Sequence, residues 1–93
     1  MVKHIVLYTL KEGVDKNDAV ALIKDQLEPL AGKIPGLLHM EIRGAFQGLD
    51  YALYSEFETA EDLKNYAEHP LHIEAKGHFF HLLDVRYAAD YEV

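Results

Sequence analysis

Residues 2–10 read VKHIVLYTL, and this segment constrains the architecture more than any other. Alternating side chains rich in Ile, Val, Leu and Tyr are typical of a β-strand. Both faces of the strand are mostly apolar, so we expect both faces to be covered in the folded protein. One face carries Val2, His4, Val6, Tyr8 and Leu10, and the other carries Lys3, Ile5, Leu7 and Thr9.

The segment after this strand predicts an amphipathic helix. Asp15 is a suitable N-cap, with the acidic Asp18 three residues later. Pro29 falls within the apolar pattern and is expected to loosen the last turn, and Gly32 is a natural position for the helix to end. The apolar positions that follow the 3.6-residue period are Val20, Ile23, Leu27 and Leu30.

Two strands are predicted in the middle of the chain. The first covers residues 37–46 and the second covers residues 51–58, YALYSEFE, with a turn at Gly48-Leu49-Asp50 between them. Because side chains alternate along a strand, the first of the two has two distinct faces. Leu38, Met40, Ile42 and Gly44 share one face, and Leu37, His39, Glu41 and Arg43 share the other.

The second helical region is predicted to be broken. Residues 59–62, TAED, resemble a capping box that opens a helix. His69-Pro70 interrupts that helix, because the residue before a proline avoids helical dihedral angles. Pro70 can begin a further helix, which the apolar pattern extends to Leu83. Residues 85–93, VRYAADYEV, then form the last strand.

The element order is βαββαβ, and residues 1–93 are interpreted as a single domain. That order predicts an α+β, ferredoxin-like fold, in which an antiparallel sheet carries both helices on one face. The other face of the sheet would expose apolar side chains, which a soluble protein avoids. We therefore expect a homodimer with two sheets face to face, forming a dimeric α/β barrel. The strand face that carries His4 is expected to line the interior of this barrel.

The composition argues against several classes of partner. Nine Lys and Arg against sixteen Asp and Glu give a net charge of −7, which disfavours binding to nucleic acid or to an anionic membrane. The lack of cysteine removes disulfides, thiolate nucleophiles and zinc–cysteine sites. No apolar run approaches the roughly 20 residues that span a bilayer, and no cleavage site follows the first strand. A cytoplasmic location is therefore expected.

Several motifs together resemble the stress-responsive A/B barrel domain family, often called Dabb. The resemblance covers essentially the whole chain and implies a ferredoxin-like α+β fold whose dimer closes a β-barrel. Many members of this family are small proteins without an assigned activity, and some plant members are stress-induced. The motifs are VKHIVLYTL at the start, IPGL at 34–37, SEFE at 55–58, NYAEHPLH at 65–72 and DYEV at 90–93.

The same resemblance implies a set of site residues. Family members of the olivetolic acid cyclase type are cofactor-free polyketide cyclases, and their catalytic Tyr and His fall here on Tyr66 and His72. A third histidine of their pocket falls on His4. A further strand histidine of those cyclases is not matched, and the nearest position here is Tyr51. This departure leaves the substrate, and with it the reaction, open.

Two readings of the function follow from the resemblance. In the first, the protein binds a small carbonyl-containing ligand and carries out cyclase or lyase chemistry without a cofactor. Val6 and Tyr8, on the same strand face as His4, then complete the ligand-binding set. In the second, the protein is a non-catalytic, stress-associated protein whose barrel is structural.

The residues themselves allow chemistry and packing alike. His72 lies in the first turn after Pro70, where the helix dipole disfavours the charged imidazolium. A neutral imidazole can act as a general base, and the Tyr66 phenol can donate a hydrogen bond to a carbonyl oxygen. Alternatively, the His-Pro segment is only a helix break, Tyr66 packs in the core, and His4 is a buried histidine with a backbone or tyrosine partner.

The remaining histidines and tyrosines favour structural roles. His78 and His81 share the i, i+3 spacing of a two-histidine metal site, as do His69 and His72, but Pro70 takes His69 out of helical geometry and no third ligand is specified. His39 is expected to be exposed or at the dimer edge. Strand tyrosines usually pack in a core or an interface, although some can present a hydroxyl to a pocket between sheet and helices. They are Tyr8, Tyr51, Tyr54, Tyr87 and Tyr91.

Overall fold

A computed structural model describes every residue from Met1 to Val93. Its four strands form one antiparallel sheet in the order β2-β3-β1-β4, which confirms the predicted α+β, ferredoxin-like architecture. None of the helices has the length and apolar character needed to cross a membrane. The elements are β1 (Val2–Leu10), α1 (Lys16–Leu27), β2 (Leu37–Gly44), β3 (Tyr51–Phe57), α2 (Ala60–Glu68), α3 (Pro70–Gly77) and β4 (Leu83–Glu92), with 3-10 turns at Glu28–Leu30 and Phe80–Leu82.

The predicted N-cap of α1 and the break at Pro29 are confirmed, but the α-helix ends at Leu27, with Glu28 as its C-cap, and not at Gly32. The Asp15 side chain accepts a hydrogen bond of 2.9 Å from the backbone N–H of Asp18 and so satisfies one of the free donors of the first turn. The α-helix ends at Leu27 because Pro29 has no backbone N–H to donate, and the chain continues as a 3-10 turn over Glu28–Leu30. Gly32 then adopts a φ of +87°, a left-handed conformation that favours glycine.

The break between α2 and α3 is also confirmed. The Thr59 hydroxyl accepts a 3.1 Å hydrogen bond from the backbone N–H of Asp62 and opens α2. His69 has extended dihedral angles, as expected before Pro70. Its Nδ1 accepts a 3.1 Å hydrogen bond from the backbone N–H of Leu71, so His69 acts as the N-cap of α3.

The structure differs from the prediction at the end of α3 and in β2, which ends at Gly44 instead of residue 46. The helix expected to run to Leu83 ends at Gly77, since glycine is a poor helix former and Phe79 turns into the core immediately afterwards. In β2, a register shift between Leu37 and His39 leaves Leu38 half exposed and places Leu37 on the same side as Met40. An extra residue at this irregularity reverses the alternation that the sequence pattern assumed.

The sheet has a helix-facing side and an open face. Val2, His4 and Val6 of β1 are buried beneath the helices, so the expectation that His4 faces the space between two sheets is wrong. On the same side of the sheet β4 contributes charged side chains, since Arg86, Asp90 and Glu92 are the cross-strand partners of Tyr8, His4 and Val2. We define the open face by its apolar residues, which are Ile5, Leu7, Ala52, Tyr54, Val85, Tyr87, Ala89 and Tyr91.

Candidate functional site

A cavity of about 340 Å³ lies between the helix-facing side of the sheet and helices α2 and α3, and we call it the Tyr66 cavity. Five of the six residues predicted for the site line this cavity. The exception is Val6, which is fully buried in the core and does not reach the cavity surface. The five that line it are His4, Tyr8, Tyr51, Tyr66 and His72.

Tyr66 is held in the wall of the cavity by α2. Only 4% of its surface is exposed, and its ring packs on Phe57, with ring centroids 5.2 Å apart. Its hydroxyl is buried and has no hydrogen-bond partner within the chain. Burial, with a smaller contribution from Tyr8, raises the pKa of Tyr66, so the phenol keeps its proton at neutral pH. A buried O–H group without a partner is uncommon in folded proteins, so Tyr66 is a candidate hydrogen-bond donor at this cavity.

His72 lies against Tyr66, with the two ring centroids 4.2 Å apart. Its Nδ1 is 3.3 Å from the carbonyl oxygen of Ala67, and a carbonyl only accepts, so Nδ1 carries the hydrogen. In the neutral ring the lone pair is therefore on Nε2. Burial is the main factor that lowers the pKa of His72, and the nearby Lys76, His4 and His69 lower it further. The lowered pKa agrees with the neutral imidazole expected for His72, although burial and not the helix dipole is its main cause.

His4 is fixed by a contact between the first and last strands. Its Nδ1 is hydrogen-bonded to the Asp90 carboxylate, its direct cross-strand partner on β4. The carboxylate accepts from Nδ1 and thus sets the tautomer and the ring orientation. The ring meets Phe57 edge-on, with centroids 6.4 Å apart, and only 8% of His4 is exposed.

Two tyrosines form the end of the cavity opposite His4. Tyr8 and Tyr51 are cross-strand neighbours whose rings stack with centroids 4.9 Å apart and planes 15° apart. Burial raises the pKa of Tyr51, with a smaller contribution from Tyr8, so this phenol also stays protonated. The hydroxyl of Tyr8 accepts a 3.3 Å hydrogen bond from Nε of Arg86 on β4.

Four charged residues that were not predicted also line the cavity: Lys64, Lys76, Arg86 and Asp90. They lie on α2, α3 and β4, so no local motif connects them. The sequence nevertheless contained a signal for Arg86 and Asp90. Every second residue of β4 from Asp84 to Glu92 is charged, with the single exception of Ala88. Such a pattern is typical of a strand with one side facing solvent or a polar cleft.

The other histidines lie outside the cavity. His39, His78 and His81 are exposed, and the ring of His39 lies beside Tyr54 on the open face, with centroids 6.0 Å apart. No three His, Cys, Asp or Glu side chains of the chain are grouped as metal ligands would be. A larger and more open depression of about 530 Å³ adjoins the cavity beside Lys64 and Asp90 but contains neither Tyr66 nor His72.

Comparisons with known proteins agree with this architecture. The profile of the family described as the Stress responsive A/B Barrel Domain matches residues 2–93. The Arabidopsis thaliana "Stress-response A/B barrel domain-containing protein HS1" is 31% identical over 97 residues, covering 98% of this chain and 88% of that protein. A dimeric protein of unknown function and ferredoxin-like fold from Bacteroides fragilis is 34% identical, with a TM-score of 0.88, over 99% of this chain and 95% of that one.

The same fold occurs in a more distant protein. A hydroxynitrile lyase from Passiflora edulis aligns with a TM-score of 0.80 over 97% of this chain and 90% of the lyase. The two sequences are only 19% identical, so this likeness concerns the fold alone.

Proposed function

The chain belongs to the stress-responsive A/B barrel domain family, and from that premise we propose that it binds a small carbonyl compound in the Tyr66 cavity and abstracts a proton from it. One observation carries this proposal. The hydroxyl of Tyr66 is buried and has no partner in the protein, and Tyr66 lines the cavity with its ring against that of His72. A buried donor without an acceptor is costly, and a carbonyl oxygen of a bound ligand would satisfy it.

The proposed step is a proton transfer from carbon. Nε2 of neutral His72 takes a proton from the carbon next to the ligand's carbonyl group. The electron pair of the broken C–H bond forms a carbon–carbon double bond, and the carbonyl electrons move to the oxygen. The O–H of Tyr66 donates a hydrogen bond to that oxygen and stabilises its developing negative charge.

The same enolate occurs in two reactions. In a cyclase it attacks a second carbonyl of the same molecule, a carbon–carbon bond forms, and the new alkoxide takes the proton from His72. In a lyase His72 takes the proton of a hydroxyl group, the adjacent carbon–carbon bond breaks as a carbonyl forms, and the released enolate takes the proton from His72 at carbon. Both reactions balance without an oxidant or a cofactor, and both need the same two side chains.

We also propose that the protein is a homodimer that pairs through the open face. Leu7, Tyr87 and Tyr91 are each more than 40% exposed on that face. Leu7 and Tyr87 are direct partners across β1 and β4, and Tyr91 lies four residues further along β4 on the same face. A contiguous exposed apolar surface of this kind marks an interaction site. The Bacteroides fragilis relative, which aligns over nearly the whole chain, is a dimeric protein.

Hydrogen–deuterium exchange at carbon tests the proton transfer without knowledge of the natural substrate. Butyrophenone, a neutral ketone, is incubated in deuterated water with the wild type, Tyr66→Phe or His72→Gln, and loss of its α-proton signal is followed by NMR. The wild type should accelerate the exchange, and each substitution should slow it at least about tenfold, since general acid–base groups contribute roughly 100-fold or more.

The matched control is His78→Gln, which removes an exposed histidine just beyond α3. It should exchange the ketone protons as fast as the wild type. An exchange rate in His72→Gln equal to that in His78→Gln would overturn the catalytic proposal. It would favour the alternative that the barrel is non-catalytic.

A further inference from the structure

The Tyr66 cavity has a charge opposite to that of the whole chain. The chain contains nine Lys and Arg and sixteen Asp and Glu. Three of those nine bases line the cavity, namely Lys64, Lys76 and Arg86, against one of the sixteen acids, Asp90. Asp90 is already bonded to His4, so the cationic side chains are in excess at this one place.

These three cations have no carboxylate partner within the chain. The ion pairs between side chains join His4 to Asp90, Glu28 to Lys24 and Arg43, and Arg43 to Glu41. Nε of Arg86 is bonded to the Tyr8 hydroxyl, which leaves the two terminal nitrogens of the guanidinium free. Nζ of Lys76 lies 5.2 Å from the centroid of the Phe80 ring and makes no hydrogen bond.

The cations divide between the two ends of the cavity. Lys76 and Arg86 also line an adjoining cleft of about 280 Å³ together with Tyr8, so they lie at the same end. Asp84 lines that cleft as well, but no ion pair joins it to either cation. Lys64 lies at the other end, where two acids, Asp90 and Glu92, line the adjoining depression with this one cation. The unbalanced positive charge is therefore at the Lys76–Arg86 end.

Resting on the function proposed above, we propose that the ligand is an organic carboxylate that also contains a carbonyl group. Its carboxylate binds to Arg86 and Lys76, and its carbonyl oxygen accepts from Tyr66. The guanidinium fork matches a carboxylate with two parallel hydrogen bonds, whereas an ammonium acts as a point charge. The apolar wall between these groups, which includes Leu53 and Phe79, accommodates the hydrocarbon that links them.

Three small probes test the carboxylate contact and the carbonyl contact separately. Benzoylbutyrate has both the ketone and the carboxylate, its methyl ester has only the ketone, and phenylvalerate has only the carboxylate. Each is titrated at low ionic strength into isotope-labelled protein, and dissociation constants are taken from amide chemical shifts. The wild type should bind benzoylbutyrate at least about tenfold more tightly than the ester, because a charge-assisted pair contributes that much.

Charge substitutions locate the carboxylate. Arg86→Gln should remove most of the preference for the acid over the ester, and Lys76→Gln should reduce it about threefold. Lys64→Gln, at the other end of the cavity, should reduce it less than either. Lys33→Gln removes the same charge from an exposed loop and should leave all three constants unchanged.

The outcomes distinguish this inference from the proposed function. If the ester binds as tightly as the acid, if Arg86→Gln behaves like Lys33→Gln, or if no probe shifts an amide at millimolar concentration, the carboxylate site is overturned. The exchange of neutral butyrophenone still judges the proposed function in those cases. If the acid is preferred to the ester but Tyr66→Phe keeps the wild-type preference for benzoylbutyrate over phenylvalerate, the carboxylate site stands and the role of Tyr66 falls.

Discussion

The helix-facing side and the open face of the sheet differ in what they bury, although β1 contributes to both. On the helix-facing side, Val6 and Phe57 are fully buried, and the Tyr66 cavity is lined by charged and aromatic side chains. On the open face, Leu7 and Tyr87 are 41% and 60% exposed, and the Tyr66 cavity lies on the other side of the sheet. The proposed ligand chemistry and the proposed assembly therefore use opposite sides of the same strands, so mutations should separate them.

The largest effect is expected from Phe57→Ala on the helix-facing side. Phe57 packs on both His4 and Tyr66, so its removal leaves a cavity in the core. The free energy of unfolding should fall by about 3–5 kcal/mol. Urea unfolding measures this loss. A loss below about 1 kcal/mol would show that the region between sheet and helices is not the main core.

On the open face, Leu7→Asp should act on assembly instead. Leu7 lies between Ala52 and Tyr87 near the middle of that face, and a carboxylate there would have to be desolvated in a face-to-face dimer. We expect the dimer dissociation constant to rise at least about 100-fold, roughly 2.7 kcal/mol, in sedimentation experiments.

Ala21→Asp, on the exposed side of α1, introduces the same charge away from the sheet and should leave assembly unchanged. If the wild type sediments only as a 10.6 kDa species at micromolar concentration, the proposal that the open face is a dimer interface is wrong.

Tyr66→Phe sharpens the comparison within the helix-facing side. The ring packing against Phe57 and His72 is retained, and only the unpartnered hydroxyl is lost. The free energy of unfolding should therefore rise by about 1 kcal/mol, while ketone exchange is lost. Thermal unfolding and the exchange assay, carried out on the same sample, measure both. A destabilised variant would mean that the hydroxyl has a partner in solution and serves the fold.

The smallest effect concerns pH. Since the pKa of His72 is lowered from its ordinary value of 6.5, the unfolded chain binds this proton more readily than the folded protein does. The contribution of His72 to the free energy of unfolding is therefore fully present above pH 6.5, and it decreases as the pH falls from about 6.5 towards the lower pKa of the folded protein. Lys76→Gln removes a nearby positive charge and should raise the pKa of His72 in an NMR titration. An unchanged pKa would show that the charge of Lys76 does not act on His72.

The sequence allowed the fold to be predicted where local chemistry determines it. Asp15, Thr59 and the His69-Pro70 pair act through hydrogen bonds and dihedral restrictions within a few residues, and the corresponding helix boundaries are confirmed. The irregularity at Leu38 and the early end of α3 depend on how distant strands pair and where Phe79 finds space in the core. No local pattern contains that information.

The same distinction applies to the candidate site. Tyr66 and His72 are six residues apart and could be proposed as a pair from one segment and a family resemblance. The cationic end could not, because Lys76 and Arg86 meet only when α3 and β4 are placed beside β1. Val6, which was chosen because it shares a strand face with His4, lies deeper in the core, since alternation fixes a direction but not a depth.

The central position of β1 has a consequence for protein synthesis. VKHIVLYTL leaves the ribosome before both of its neighbours, β3 and β4, because a chain is made from its N-terminus. Until Phe57 and then Glu92 have emerged, an apolar segment of high β-propensity keeps its two hydrogen-bonding edges free. During that interval the nascent chain is a natural client for a chaperone, and slowed translation should increase its aggregation.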